Sequence, residues 1–246
     1  MKDKVQARMA SEVGRIAILI DPEKTNCESQ LLPLIQKCQH AGIDFFFVGG
    51  STVSRADLEK TVSLLKKHSS IPVVLFPGSS AQLSEEADAL LFLSLVSGRN
   101  PDFLITHHVN CAEEVFSMNL EVVPTAYLLI DGGSHSSVAY VSQTTPIPRE
   151  QHTIAIKTAL AAYLQGKKTI YFDAGSGAKQ SVPPELILQL KKKIDIPVIV
   201  GGGIRNIETI QQFAQAGANV IVIGNHIEHN LDFILDIASY QQNKKC

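Results

Sequence analysis

Three glycine-bearing segments stand late in the chain, each directly after a short apolar run: Tyr171-Phe172-Asp173-Ala174-Gly175-Ser176-Gly177, Gly201-Gly202-Gly203-Ile204-Arg205 and Gly224-Asn225. Their chemistry is that of phosphate binding. A phosphate is best held by several backbone N–H groups aimed inward, and side chains would obstruct that approach. Glycine lets the chain come close and turn through positive φ. A helix beginning just afterwards adds the positive end of its dipole. One such cluster reads as readily as a tight turn. Three, spaced one strand–helix unit apart, point to a phosphorylated ligand and are silent on the reaction.

An acid and a hydroxyl stand in the front half. Asp21-Pro22-Glu23-Lys24 follows the first apolar run, and Gly49-Gly50-Ser51-Thr52 follows the second. A carboxylate beside a hydroxyl is the oxygen-rich pair that Mg²⁺ accepts, with waters and substrate phosphates completing the shell. On the residues alone, Asp21 reads equally well as an N-cap or turn residue. The histidines offer less: His107 and His108 are adjacent and expected to face different ways, His226 and His229 lack a third ligand, and His40, His68 and His152 fall on or beside polar faces. Lys167-Lys168 and Lys191-Lys192-Lys193 read as solvated faces before strands.

Positioning these groups on one rim requires a particular set of elements. Apolar runs without alternation suit parallel strands buried on both faces. They recur at Arg15–Ile20, Asp44–Val48, Pro72–Phe76, Ala89–Leu93, Val122–Ile130, Thr169–Phe172, Pro197–Val200 and Asn219–Ile223. Between them lie helical patterns over Glu28–Gly42, Arg55–His68, Thr153–Gly166, Pro184–Ile194 and Ile207–Gly217. Gly42, Gly166 and Gly217 sit where a left-handed helix stop favours glycine. The expectation is α/β: a single (β/α)₈ TIM-type barrel over residues 1–246, with a doubly wound open sheet as competitor. The glycine clusters decide for the barrel, because its phosphate site is usually made by the loops after strands seven and eight. Two stretches break the rhythm. After Phe76 comes Pro-Gly-Ser-Ser with room for a turn or two, so the third helix is expected to be short or replaced by irregular chain. Asp131–Arg149 is a long loop of the kind that binds ligands or covers a site.

Composition narrows the classes. The chain has 246 residues, 45% hydrophobic and 19% charged, with Lys plus Arg at 22 against 24 Asp plus Glu. That near balance, with no Trp, argues against nucleic acid as a partner. Cys27, Cys38, Cys111 and Cys246 have no metal-finger spacing and read as free thiols in a reducing compartment. No signal peptide and no membrane span are visible, so a cytoplasmic location is expected.

Taken together and in order, Asp21-Pro22-Glu23-Lys24, Gly49-Gly50-Ser51, Pro124–Ile130, Tyr171–Gly177, Gly201–Arg205 and Gly224-Asn225 resemble the geranylgeranylglyceryl phosphate synthase family, which includes heptaprenylglyceryl phosphate synthase. The resemblance implies transfer of a prenyl group, geranylgeranyl or a longer heptaprenyl, from its diphosphate to the 3-hydroxyl of sn-glycerol 1-phosphate. It implies Mg²⁺ on Asp21 and Ser51. Glycerol phosphate would lie across Tyr171, Phe172, Asp173, Ala174, Gly175, Ser176, Gly177, Gly202, Gly203, Gly224 and Asn225. Asp173 and Tyr171 would be catalytic, Asp173 as orienter or proton acceptor of the hydroxyl, and Tyr127 would line the near end of the prenyl chain. The family commonly has Glu where this chain has Asp173. Homo-oligomers are usual in it; the pattern Ile154, Ile156, Ala159, Leu160 and Leu164 reads first as core packing.

Two other readings stay open at this point. A sugar-phosphate isomerase, epimerase or aldolase would share the phosphate loops but needs a base at a strand end, and Lys24 is the nearest lysine. A non-catalytic metabolite binder would keep the loops but has no need of a diphosphate metal.

Overall fold

The structure, a computed structural model, describes residues 4–25 and 27–244, so the expected free thiol Cys246 lies outside the described residues. Its strands are β1 (Arg15–Ile20), β2 (Phe45–Val48), β3 (Val73–Leu75), β4 (Ala89–Leu95), β5 (Glu121–Leu129), β6 (Thr169–Asp173), β7 (Val198–Gly201) and β8 (Val220–Ile223). They pair in parallel in chain order, and β1 closes on β8 through Arg15↔Val220 to Ile18↔Ile223. A closed barrel leaves no open edge, so the doubly wound competitor is excluded.

Strand side chains alternate, and here both faces are apolar. Inward positions such as Ala17, Phe45, Phe47, Leu91, Val123 and Tyr171 fill the barrel. Their neighbours Ile16, Ile18, Phe46, Leu90, Phe172 and Val200 pack against the helices. This explains the unbroken apolar runs.

The expected helices appear as α2 (Glu28–Ala41), α3 (Arg55–His68), α6 (His152–Leu164), α7 (Pro184–Lys191) and α8 (Ile207–Gln215), around α1 (Lys4–Ala10), α4 (His107–Ser117), α5 (Ser137–Ser142), α9 (Asn225–His229) and α10 (Phe233–Lys244). No helix joins β3 to β4, as expected from Pro77-Gly78. The stretch after β4 departs from expectation: a π-helical turn over Asp102–Thr106 runs directly into α4.

Helix α1, also unforeseen, lies against the strand base. Glu121 accepts from Val5 N at 2.8 Å and Gln6 N at 2.7 Å, satisfying donors that a helix start leaves free. Val5 and Met9 join the barrel-interior cluster. Burying Met9 is worth about 1.5–3 kcal/mol. The base is thereby filled, and the opposite rim is left as the mouth.

Three smaller expectations need correction. On α6, Ile156 and Ala159 are core, but Ile154 is 49% exposed and Leu164 83%, so only part of that pattern packs on the barrel. Lys167 is not a solvated lysine: its Nζ reaches Ser94 Oγ at 2.6 Å, and burial pulls its pKa down. Lys191 likewise donates to Ile196 O at 3.2 Å. The described cysteines Cys27, Cys38 and Cys111 are free thiols, and burial pushes Cys38 up to about 12.

Candidate active site

The ends of the strands and the residues just after them surround one cavity of about 520 Å³. Asp21, Ser51, Asp173, Gly202, Gly203, Gly224 and Asn225 all line it, as the sequence anticipated. So do Tyr127, Tyr171, Gly175, Ser176 and Gly177. Phe172 does not. Strand alternation turns its ring to the helices, and it is fully buried there; Ala174 is also absent from the lining.

The loops after β6, β7 and β8 are stitched into one wall. Ser176 Oγ donates to Asn225 Oδ1 at 3.0 Å, and Arg205 Nη2 donates to Ala178 O at 2.8 Å. Gly202 takes φ +84, and a Cβ there would sit 2.7 Å from Asp173 Oδ1, 2.8 Å from Gly175 N and 2.9 Å from Ala174 N. No other residue fits so close an approach of two backbones, and the consecutive turns leave N–H groups suited to an anion.

At the centre of the mouth, Tyr127 donates its hydroxyl proton to Asp173 Oδ2, and Gly175 N donates to Oδ1 at 2.9 Å. The pair is reachable because Tyr127 and Tyr171 are register partners, and Asp173 stands two residues further on the same inward face. Burial raises the Asp173 carboxyl above the usual carboxylate range, against the opposing pull of Tyr127 and Gly175. Burial also lifts Tyr127 and Tyr171 well above an ordinary phenol.

On the other side, Asp21 lies in the turn after β1. Its Oδ1 accepts from Glu23 N at 3.1 Å, and its Oδ2 lies 3.5 Å from Lys24 Nζ. It is therefore a turn residue as well as a lining one, but not an N-cap: that position before α2 is Cys27. A Cβ on Gly50 would come 3.1 Å from Asp21 Oδ1, which brings the start of the Ser51 loop against this carboxylate. Among the described residues no cluster of three or more His, Cys, Asp or Glu could hold a metal. One carboxylate and one hydroxyl suit Mg²⁺, which keeps its waters and takes substrate phosphate oxygens, better than a tightly caged ion.

The Ser51 loop is held from below. Buried Gln82, in the irregular chain after β3, donates to Gly50 O and Val53 O at 3.0 Å each and accepts from Gly78 N at 2.8 Å. Gly49 faces Phe76 O so closely that a Cβ would lie 1.9 Å from it. Phe76 stacks on Tyr171, with ring centroids 5.3 Å apart, and lies 5.9 Å from Tyr127. Sequence reasoning missed Gln82 and Phe76. Pro77-Gly78 could have flagged Phe76 as a strand-end side chain; Gln82 carries no such signal.

From the centre the cavity runs outward through the gap left by the missing third helix. Leu83, Leu90, Phe92, His107, His108 and Cys111 line it. Leu90 and Phe92 face outward from β4, so this arm passes over the outside of the barrel. His107 and His108 both line the cavity but turn to different neighbours, His107 to Phe103 and His108 to Phe92. His108 Nε2 contacts Leu93 O at 2.6 Å, and burial depresses its pKa. His226 and His229 line the polar side. From the long loop after β5, Val138 and Val141 of α5 form part of the wall.

The site is thus an anion cradle and an oxygen-rich corner that share one mouth with an apolar arm. Comparison with known proteins gives concordant findings. The PcrB family model matches residues 10–240. A geranylgeranylglyceryl phosphate synthase of Chitinophaga pinensis is 45% identical over 231 residues, 94% of this chain and 91% of the relative. One of Pyrococcus furiosus is 41% identical over 212 residues, 86% and 83% of the two chains. The crystal structure of (S)-3-O-geranylgeranylglyceryl phosphate synthase from Thermoplasma acidophilum, in complex with its substrate sn-glycerol-1-phosphate, superposes with a TM-score of 0.89 at 33% identity, covering 97% of this chain and 96% of that one.

Proposed function

The chain belongs to the PcrB family, whose curated relatives are geranylgeranylglyceryl phosphate synthases, and from that premise we propose how its mouth transfers a geranylgeranyl group from the diphosphate to sn-glycerol 1-phosphate. The allylic C–O bond breaks and its electron pair leaves with diphosphate. An ether bond forms between that carbon and the 3-oxygen of the acceptor, and the hydroxyl proton departs.

One observation carries the reading: a single cavity joins the anion cradle of Gly202-Gly203 and Ser176-Gly177 to an apolar arm lined by Leu90, Phe92 and Cys111. A sugar-phosphate enzyme has no use for that arm. Lys24, the nearest lysine for such an enzyme, is engaged by Glu228 and Asp21. Glycerol phosphate sits on Tyr171, Asp173 and the loops from Gly175 to Gly177, Gly202 to Gly203 and Gly224 to Asn225. Asp173 orients the 3-hydroxyl and accepts its proton; burial makes it a stronger base than a solvated carboxylate. Tyr127 fixes that carboxylate, and Tyr171 with Phe76 frames the reacting end of the prenyl chain.

Asp21 and Ser51 are the residues that would hold Mg²⁺, whose contribution when bound is Lewis-acid stabilisation of charge on the diphosphate. The relatives' names favour geranylgeranyl over heptaprenyl as donor. Ile154 and Leu164 on α6, exposed at 49% and 83%, belong in this reading to a contact between copies; a monomer in sedimentation would remove that point.

The test incubates the protein with Mg²⁺, radiolabelled sn-glycerol 1-phosphate and farnesyl, geranylgeranyl or heptaprenyl diphosphate, then extracts into organic solvent. Label is expected in the organic phase, most with geranylgeranyl diphosphate. Label that stays aqueous with every donor removes the reading.

A further inference from the structure

We infer that Lys24 binds the departing diphosphate and that Glu228 positions it, an assignment that rests on the prenyl-transfer reading above. Lys24 lies three residues past Asp21, in the turn after β1. Its Nζ is 3.0 Å from Glu228 Oε2, 3.3 Å from Glu228 Oε1 and 3.5 Å from Asp21 Oδ2. Glu228 belongs to α9, which follows β8, the strand that pairs with β1. The ammonium is therefore anchored across the closing seam of the barrel, and both partners line the cavity.

The chemistry asks for such a group. Diphosphate leaves with the electron pair of the C–O bond, so negative charge grows on its oxygens in the transition state. Donors fixed in advance stabilise that charge without reorganising. Among the described residues two permanent cations line the cavity, Lys24 and Arg205. Arg205 donates to Ala178 O and Lys179 O within the phosphate loops. Lys24 is the one beside Asp21. Its contact with Asp21 is the loose one of the two, which a diphosphate oxygen can replace, whereas the two-oxygen contact with Glu228 keeps the flexible stem aimed at the corner. As a purely structural bridge the pair would contribute little, since Lys24 is 46% exposed.

The experiment titrates inorganic diphosphate, with Mg²⁺ present, and separately sn-glycerol 1-phosphate into the wild type, Lys24→Met, Glu228→Gln and Glu228→Asp, and measures kcat and KM for the prenyl donor. A lost charge-assisted contact predicts diphosphate affinity down about 10–100-fold in Lys24→Met. Glycerol phosphate affinity should stay within about twofold, as expected for a separate site. Glu228→Gln should show a smaller loss in the same direction, seen in kcat/KM for the donor, and Glu228→Asp should recover most of it. Unchanged diphosphate affinity in Lys24→Met overturns the assignment, as does an equal loss for both ligands or a wild type that does not bind diphosphate. If Lys24→Met does not fold, Glu228→Gln decides by the same diphosphate titration. A wild type that makes no extractable lipid, yet binds diphosphate through Lys24, would sink the transferase reading and leave this binding site standing.

Discussion

Asp173 is gripped at both oxygens by donors of different kinds, a phenol and a peptide N–H, inside a site that burial makes unfavourable for its charge. The linkage has a definite sign. Its folded pKa lies above the unfolded value of about 3.9, so between the two the folded chain keeps a proton that the unfolded chain has lost. Stability from this group is present at low pH and falls as pH rises through that window. Activity runs the other way, because a proton acceptor must be ionised. The acid limb of kcat/KM is expected above the ordinary carboxylate range, and Asp173→Asn should erase the limb and lower kcat/KM by about 10²–10⁴-fold. A pH–rate profile that keeps its limb in Asp173→Asn would remove Asp173 as the base. Gly202→Ala is the steric counterpart: its methyl would fall among Asp173 Oδ1, Gly175 N and Ala174 N. Glycerol phosphate KM should rise at least about tenfold, with left-handed strain costing about 1–2 kcal/mol besides. The residues of this cradle were legible because glycine and strand ends leave a sequence signature. Tyr127's bond to Asp173 was not, since it spans 46 residues and depends on register.

At the level of elements, the strands could be read almost to the residue, because a parallel strand buried on both faces has nothing polar to interrupt it. The absent third helix was readable from Pro77-Gly78. Helix α4 was not: the π-helical turn at Asp102–Thr106 shifts the apolar phase, and His107-His108 sits where a helix pattern wants an apolar residue. Helix α1 offers only Val5 and Met9 to a pattern search, and its partner Glu121 lies in a distant strand. What replaces the third helix does its work through Gln82, which ties the chain after β3 to the Ser51 loop. Gln82→Ala would leave Gly78 N, Gly50 O and Val53 O without that partner, at a cost of about 2–4 kcal/mol, read as a shift in urea midpoint. The KM for the prenyl donor should rise as the Ser51 loop loosens, with glycerol phosphate KM unchanged. A loss of stability with both KM values unaltered would confine Gln82 to the fold.

For the whole molecule, the layout follows from what fills a barrel and what does not. Phe45, Phe47, Val74 and Leu91 pack its lower interior, and α1 lies against the base, so ligands have the strand-end rim. A complete ring of helices would confine the cavity to that rim. Without the third helix, the mouth continues over the outer face of β4, past Leu90 and Phe92 to α4. In the prenyl-transfer reading, the long apolar chain reaches from the centre of the barrel to its outside, while its diphosphate stays at the Asp21 and Ser51 corner. The length accepted then depends on how far the arm extends, and Cys111, a small buried side chain on α4, stands along it. Cys111→Phe adds a ring where a thiol now sits. Overpacking costs about 1–3 kcal/mol if the ring is forced into the core, and less if it turns into the empty arm. Turned into the arm, it shortens the space for the chain. Product analysis with mixed donors should then show the preference moving from geranylgeranyl towards farnesyl, with the KM for glycerol phosphate unchanged. A variant that folds as stably as the wild type and keeps its donor preference would mean that the prenyl chain takes a path that does not pass α4.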